Sequence, residues 1–184
     1  MLDRLAALSI VLPFLRDVEG LDLLAYRDDG TPGGGPWTIG YGHTGPDVKE
    51  GDTITQDQAE IWLSTDAGNT ADLIAPRLPS LLNPNQYASL ISFTYNVGPG
   101  RAGSKSGFLI LKNGNPSTLL RMVQNLPSNP TVDELEAAAE QFLPWCHAGS
   151  AVVAALCTRR KKEHDLFLTP YSQAPLGVTP DSEP

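Results

Sequence analysis

Apolar residues recur at three- and four-residue steps along the first segment, where Leu5, Leu8, Leu12 and Leu15 form a stripe that predicts a helix over 2–18. The period then changes. Leu24-Ala25-Tyr26-Arg27 is a short extended candidate, residues 28–36 are Asp-, Gly- and Pro-rich and read as a loop, and Trp37 to His43 alternates with period two as a half-buried strand. The two extended pieces predict a hairpin with a long, glycine-rich connection. A helix opens next, with Thr55 as N-cap and Gln58 three residues on, running to about Leu73. A mostly apolar helix over Pro84–Val97, carrying Leu90, Ile91, Phe93 and Tyr95, is expected at the centre, and Gly98-Pro99-Gly100 ends it. Shorter helices are expected near 105–113, 116–125, 131–142 and 150–168.

This order predicts an α+β fold, a small N-terminal lobe with a short antiparallel sheet beside a larger all-α lobe, with a cleft between. The expected organisation is one domain over 1–168 and a flexible Pro-rich tail over 169–184. The apolar run Leu5–Leu15 superficially resembles a signal peptide. It is too short to span a bilayer, no A-x-A site follows it, and it leads directly into Arg16-Asp17-Val18-Glu19, so it reads as a core helix. On that reading the chain carries no export signal of its own.

Composition sharpens the picture in one respect. The net charge of −8 is uneven: residues 1–75 hold 13 acidic and 4 basic side chains, whereas residues 76–168 carry an excess of three positive charges. An acidic first half argues against nucleic-acid binding, and Arg159-Arg160-Lys161-Lys162, followed by Glu163 and Asp165, reads as a solvated helix face. Cys146 and Cys157 on one continuous helix would lie roughly 16 Å apart, so reduced thiols are expected unless Gly149 breaks that helix. No CxxC, His-rich or regular oxygen-ligand spacing points to a metal, and no cofactor is expected.

Candidate chemistry centres on carboxylates. Glu19 closes the first helix beside Val18 and Gly20, where partial desolvation keeps a proton on a carboxyl near neutrality. Asp28, at the mouth of the hairpin, is expected to be hydrated and ionised. Two carboxyls in contrasting surroundings suit an acid/base division of labour, as glycosidic bond cleavage requires. Alternation places Thr38, Gly40 and Gly42 on one strand face, a hydroxyl beside two positions without side chains that a sugar ring and a water could approach.

Taken together, Glu19-Gly20-x-x-Leu23-x-Ala25-Tyr26-x-Asp28 and Trp37-Thr38-Ile39-Gly40-Tyr41-Gly42-His43 resemble the catalytic signature of the phage lysozymes, the endolysin muramidases of glycoside hydrolase family 24. The resemblance continues through Ile54-Thr55-x-x-Gln58-Ala59-Glu60, through Ser89-Leu90-Ile91-Ser92-Phe93-x-Tyr95-Asn96-Val97-Gly98, and through Phe142-x-x-Trp145 with Arg159-Arg160-x-x-Glu163. It implies a lysozyme-like fold and hydrolysis of the β-1,4 bond between N-acetylmuramic acid and N-acetylglucosamine in peptidoglycan. Glu19 would be the general acid, Asp28 would assist water or the cationic centre, and Thr38 would place that water. Tyr26, Gly40, Asn96 and Gly98 would contact substrate, and His43 would pair structurally with Asp66. A monomer is implied, with neither nucleic acid nor membrane as partner, held in the host cytoplasm until a holin releases it to the wall. The alternatives are a lytic transglycosylase and a non-catalytic wall-binding module. The chain departs from the family in its long 29–36 loop and in its negative charge, which removes long-range attraction to an anionic wall.

Overall fold

The computed structural model describes residues 1–27 and 35–172. Helix α1 (Arg4–Glu19) begins where the Asp3 carboxylate accepts the Ala6 N–H at 3.0 Å, and Pro13 sits inside it without ending it. Its core stripe is Ala7, Val11 and Leu15, one residue off the expected one in its first two turns; Leu5 is exposed, and Leu8 and Leu12 are only partly covered. The small side chains of Ala7 and Val11 suit a close approach to α3 (Pro84–Val97), which α1 packs against.

Strands β1 (Asp22–Arg27), β2 (Trp37–Gly40) and β3 (His43–Thr44) form an antiparallel sheet in that order. The single strand expected over 37–43 is two. Gly40 and Gly42 both adopt positive φ, +66° and +89°, and reverse the chain so that Ile39 pairs with His43. Tyr26 pairs with Thr38 and Arg27 with Trp37, and the Arg27 Nε–H donates to the Gly35 carbonyl at 2.8 Å, so both ends of the long connection are pinned. Ala25, Ile39 and Val48 make a small core of their own, backed by Trp37, Ile54 and Trp62.

Helix α2 (Gln56–Ile74) is capped as expected, the Thr55 hydroxyl accepting the Gln58 N–H. Helix α3 is more central than its apolar residues alone indicate, because every residue from Pro84 to Thr94 is buried. Its polar members are satisfied within the fold: Asn83 and Gln86 cap it reciprocally, and the Tyr87 hydroxyl donates to the Ala71 carbonyl. Phe93 is the hub, meeting Phe108, Phe142 and Trp145 edge-on at 5.9, 5.2 and 5.3 Å.

Helices α4 (Thr118–Gln124), α5 (Val132–Ala139) and α6 (Ala154–Leu168) complete the larger lobe. Two expectations fail. Residues 105–113 are irregular chain, because Gly107 packs directly on the 98–100 turn: a Cβ there would lie 2.4 Å from the Gly98 carbonyl oxygen, and Phe108 and Leu109 donate to the Gly98 and Pro99 carbonyls. The helix expected from 150 starts at Ala154, after a two-stranded hairpin of β4 (His147–Ala148) and β5 (Ala151–Val152). Of the proposed tail, Thr169 and Pro170 are tied by their carbonyls to the Asn85 side-chain amide, and 173–184 lie outside the described residues. Among the described residues no helix is long and apolar enough to cross a membrane.

Candidate active site

Glu19 is the last residue of α1, and Gly20 at φ +74° turns the chain away behind it. The helix therefore delivers the carboxyl to the edge of the core, where its side chain retains only 16% exposure. One oxygen accepts the Arg159 Nη1–H at 2.6 Å. The other faces Gly42, where a Cβ would sit 3.7 Å away. At φ +89° that position favours glycine on backbone grounds as well, so the approach to the carboxyl stays open.

Glu19 lines a cleft of about 500 Å³ together with Tyr26, Pro36, Thr38, Thr44 and Asn96. The cleft's two walls come from different elements. Glu19 and Asn96 stand on α1 and α3, and Tyr26, Thr38 and Thr44 on the sheet. Tyr95 joins the walls, its hydroxyl donating to the Tyr41 carbonyl at 2.8 Å. Burial and the nearby charges of Glu19 and Asp66 push the Tyr95 phenol well above its usual range, so it stays a neutral donor. Tyr41 in turn donates to Glu60, which also takes a bidentate fork from Arg16.

Behind Glu19 lies a buried charge network that contradicts the solvated-face reading of the basic run. Arg159 and Arg160 are 6% and 0% exposed; only Lys161 and Lys162 face water. Arg159 reaches from Glu19 to Glu163, at 3.1 Å, and to the Ser92 carbonyl. Glu163, fully buried, also accepts the Ser92 hydroxyl at 2.8 Å. Arg160 donates to the Asn96 side-chain carbonyl at 2.8 Å and lies over the Phe93 ring. Its Nε is 3.1 Å from Glu163 Oε2, a contact of charge without hydrogen-bond alignment. Burial pulls Arg160 down to about 10, which leaves it charged at neutrality, and burial pushes Glu163 up against the pull of both guanidiniums and Ser92. The spacing Arg-Arg-x-x-Glu, with steps of three and four residues on one helix, was the available signal for this network.

The structure brings Glu19, Thr38, Tyr26 and Asn96 to one cleft. The Thr38 hydroxyl donates to the Pro36 carbonyl at 3.3 Å, a long bond that leaves its lone pairs free to accept. Gly40 is not at the cleft: a Cβ there would meet Ala59 on α2 at 3.3 Å, because the positive φ at 40 breaks the strand alternation. Gly98 is the C-cap of α3 and supports the 98–100 turn without lining the cleft. Asp28 lies outside the described residues, between the flanking Arg27 and the pinned Gly35. His43 and Asp66 do pair, Nδ1 to carboxylate at 2.6 Å, with Asp47 on the other ring nitrogen at 3.3 Å and Trp62 stacked at 4.4 Å. Burial draws His43 down, but the two carboxylates outweigh it and raise the imidazole above its ordinary value.

The phage lysozyme family model matches residues 16–163, from the end of α1 to the buried Glu163. The chain belongs to the phage lysozyme family. Within the family it is 35% identical over 160 residues to an endolysin of Salmonella phage P22, covering 84% of this chain and 92% of that one. It is 32% identical over 159 residues to an endolysin of Bacillus phage B103, covering 86% of this chain but 52% of the relative, so the chain spans about half the length of that phage lysozyme relative. Among solved structures, the muramidase domain of SpmX from Asticaccaulis excentricus superposes with a TM-score of 0.68 at 27% identity, covering 88% of this chain and 96% of that one. The lysozyme-like α+β architecture expected from the sequence is the one observed.

Proposed function

We propose that this chain is an endolysin muramidase that hydrolyses the β-1,4 bond between N-acetylmuramic acid and N-acetylglucosamine in peptidoglycan. The observation that carries the proposal is the juxtaposition of Glu19 and Thr38 across one open cleft, in a chain of this family. A glycan strand lying in the cleft meets the Glu19 carboxyl on the helical wall, which donates a proton to the departing glycosidic oxygen. Arg159 does not reach the substrate. It holds the carboxyl in one orientation and is a positioning residue. On the sheet wall, Thr38 accepts a hydrogen bond from the attacking water, and Asp28, at the start of the hairpin connection, assists that water or stabilises the oxocarbenium-like centre. Tyr26 and Asn96 contact the sugar rings. The enzyme acts as a monomer, needs no cofactor, and waits in the host cytoplasm for holin-mediated release to the wall.

The test is digestion of purified peptidoglycan followed by mass spectrometry of the soluble fragments. Fragments ending in reducing N-acetylmuramic acid are expected. Anhydro-muramic ends would make the protein a lytic transglycosylase, and retention on the wall with no fragments would make it a binding module.

A further inference from the structure

Cys146 and Cys157 stand outside the cleft, eleven residues apart in sequence. The hairpin between them brings them together. Cys146 precedes β4, Gly149 at φ +62° turns the chain, and Val153 returns to donate its N–H to the Cys146 carbonyl at 2.9 Å. Val153 also precedes α6, and its own carbonyl accepts the Cys157 N–H at 3.0 Å. One residue is thus hydrogen-bonded to the backbones of both cysteines, and the neighbouring Cys146 thiol, with burial, pushes the Cys157 thiol above its ordinary range. Both are free and only partly buried, so a small oxidant can reach them.

The position of the pair, one cysteine before β4 and the other in the first turn of α6, has a structural consequence. Helices α1 to α5 all begin with a side-chain cap, from Asp3, Thr55, Asn83, Ser117 and Thr131 respectively. Helix α6 has Val153 at its N-cap and no side-chain cap. It is also the helix that carries Arg159 and Arg160, two and three residues beyond Cys157. Its first turn is therefore the place where a covalent tether adds the most order.

We infer that Cys146 and Cys157 are the site of an intrachain disulfide that clamps the first turn of α6 to the β4–β5 hairpin. The oxidant is a low-molecular-weight disulfide such as glutathione disulfide. One cysteine thiolate attacks a glutathione sulfur and expels one glutathione thiolate; the second cysteine attacks the resulting mixed disulfide and expels the other. The chain loses two hydrogens as its two thiols are oxidised, and one glutathione disulfide is reduced to two glutathiones.

The experiment uses the native full chain with glutathione disulfide in excess over glutathione, followed by alkylation and peptide mapping. A loss of two hydrogens, located to a linked peptide pair holding Cys146 and Cys157, is expected. The oxidised form should melt roughly 5–10 °C above the reduced form, and the amides of Thr158 to Arg160 should exchange more slowly in it. Cys146→Ser and Cys157→Ser should each melt at one temperature whether or not oxidant is added. Two alkylated thiols, glutathione adducts on either cysteine, or chains linked to one another would overturn the proposal. So would equal melting of the linked and reduced forms. None of these readouts depends on muramidase activity.

Discussion

The two walls of the cleft are built by opposite means. The helical wall holds Glu19 through a continuous set of buried charges, Glu19–Arg159–Glu163–Arg160–Asn96, that runs from α1 through α6 to α3. The sheet wall holds Thr38 through backbone pairing and the positive-φ glycines 40 and 42, and its hydroxyl makes one long bond to Pro36. A buried ion network costs desolvation and repays it only when complete, so its members cannot be changed singly without loss of stability. A half-exposed hydroxyl in a pleated strand carries little of the fold. On the helical wall stability and chemistry are therefore coupled, whereas on the sheet wall they separate.

Substitutions can break that contrast, and their effects on stability should fall in a definite order. Glu163→Ala leaves Arg160 and part of Arg159 buried without a counter-charge, and should cost about 3–5 kcal/mol in denaturant unfolding; a cost below ~1 kcal/mol would show that the network is not stabilising as a unit. Arg159→Met removes the 2.6 Å contact with Glu19 while Arg160 still neutralises Glu163. It should cost roughly 1–3 kcal/mol and lower kcat about ten- to a hundredfold with KM little changed, the pattern of a lost orientation. An unchanged kcat would remove Arg159 from the positioning role.

The His43–Asp66–Asp47 cluster should show itself in pH dependence. The folded-state imidazole is raised above its unfolded value, so its stabilisation is fully present below about pH 6.5 and is lost as pH rises through the folded value. A melting profile from pH 5 to 9 should fall less steeply in His43→Gln than in wild type, and parallel profiles would contradict this. Smallest in stability is Thr38→Val, at under ~1 kcal/mol. Its activity should nonetheless fall by about a hundredfold; a melting loss as large as that of Glu163→Ala would erase the distinction between the walls.

The pattern of the chain made the helices and hairpin legible where the physics is local. Thr55 before its helix, the run Pro84–Val97, and the pairing of His43 with Asp66 all rest on short-range spacing or on a family motif. What escaped is non-local. Gly107 falls inside the short helix expected near 105–113, yet its missing Cβ serves contact with Gly98 and Pro99. Arg159 and Arg160 look like solvent-facing charges, because the carboxylate that neutralises them shares their helix and the Glu19 carboxyl that Arg159 also binds lies 140 residues away. The site was half legible for the same reason: Glu19, Thr38, Tyr26 and Asn96 share the cleft, while the alternation that placed Gly40 there failed at a positive φ.

The most direct measurement is the rate at which Glu19→Gln clears suspensions of outer-membrane-permeabilised bacteria, beside wild type at matched concentration and with both melting temperatures recorded. The substitution keeps the size of the side chain and removes the acid. The proton-donor role of Glu19 predicts that lysis falls by a factor on the order of 10³ or more while the protein stays folded. Equal clearing by the two proteins would contradict it.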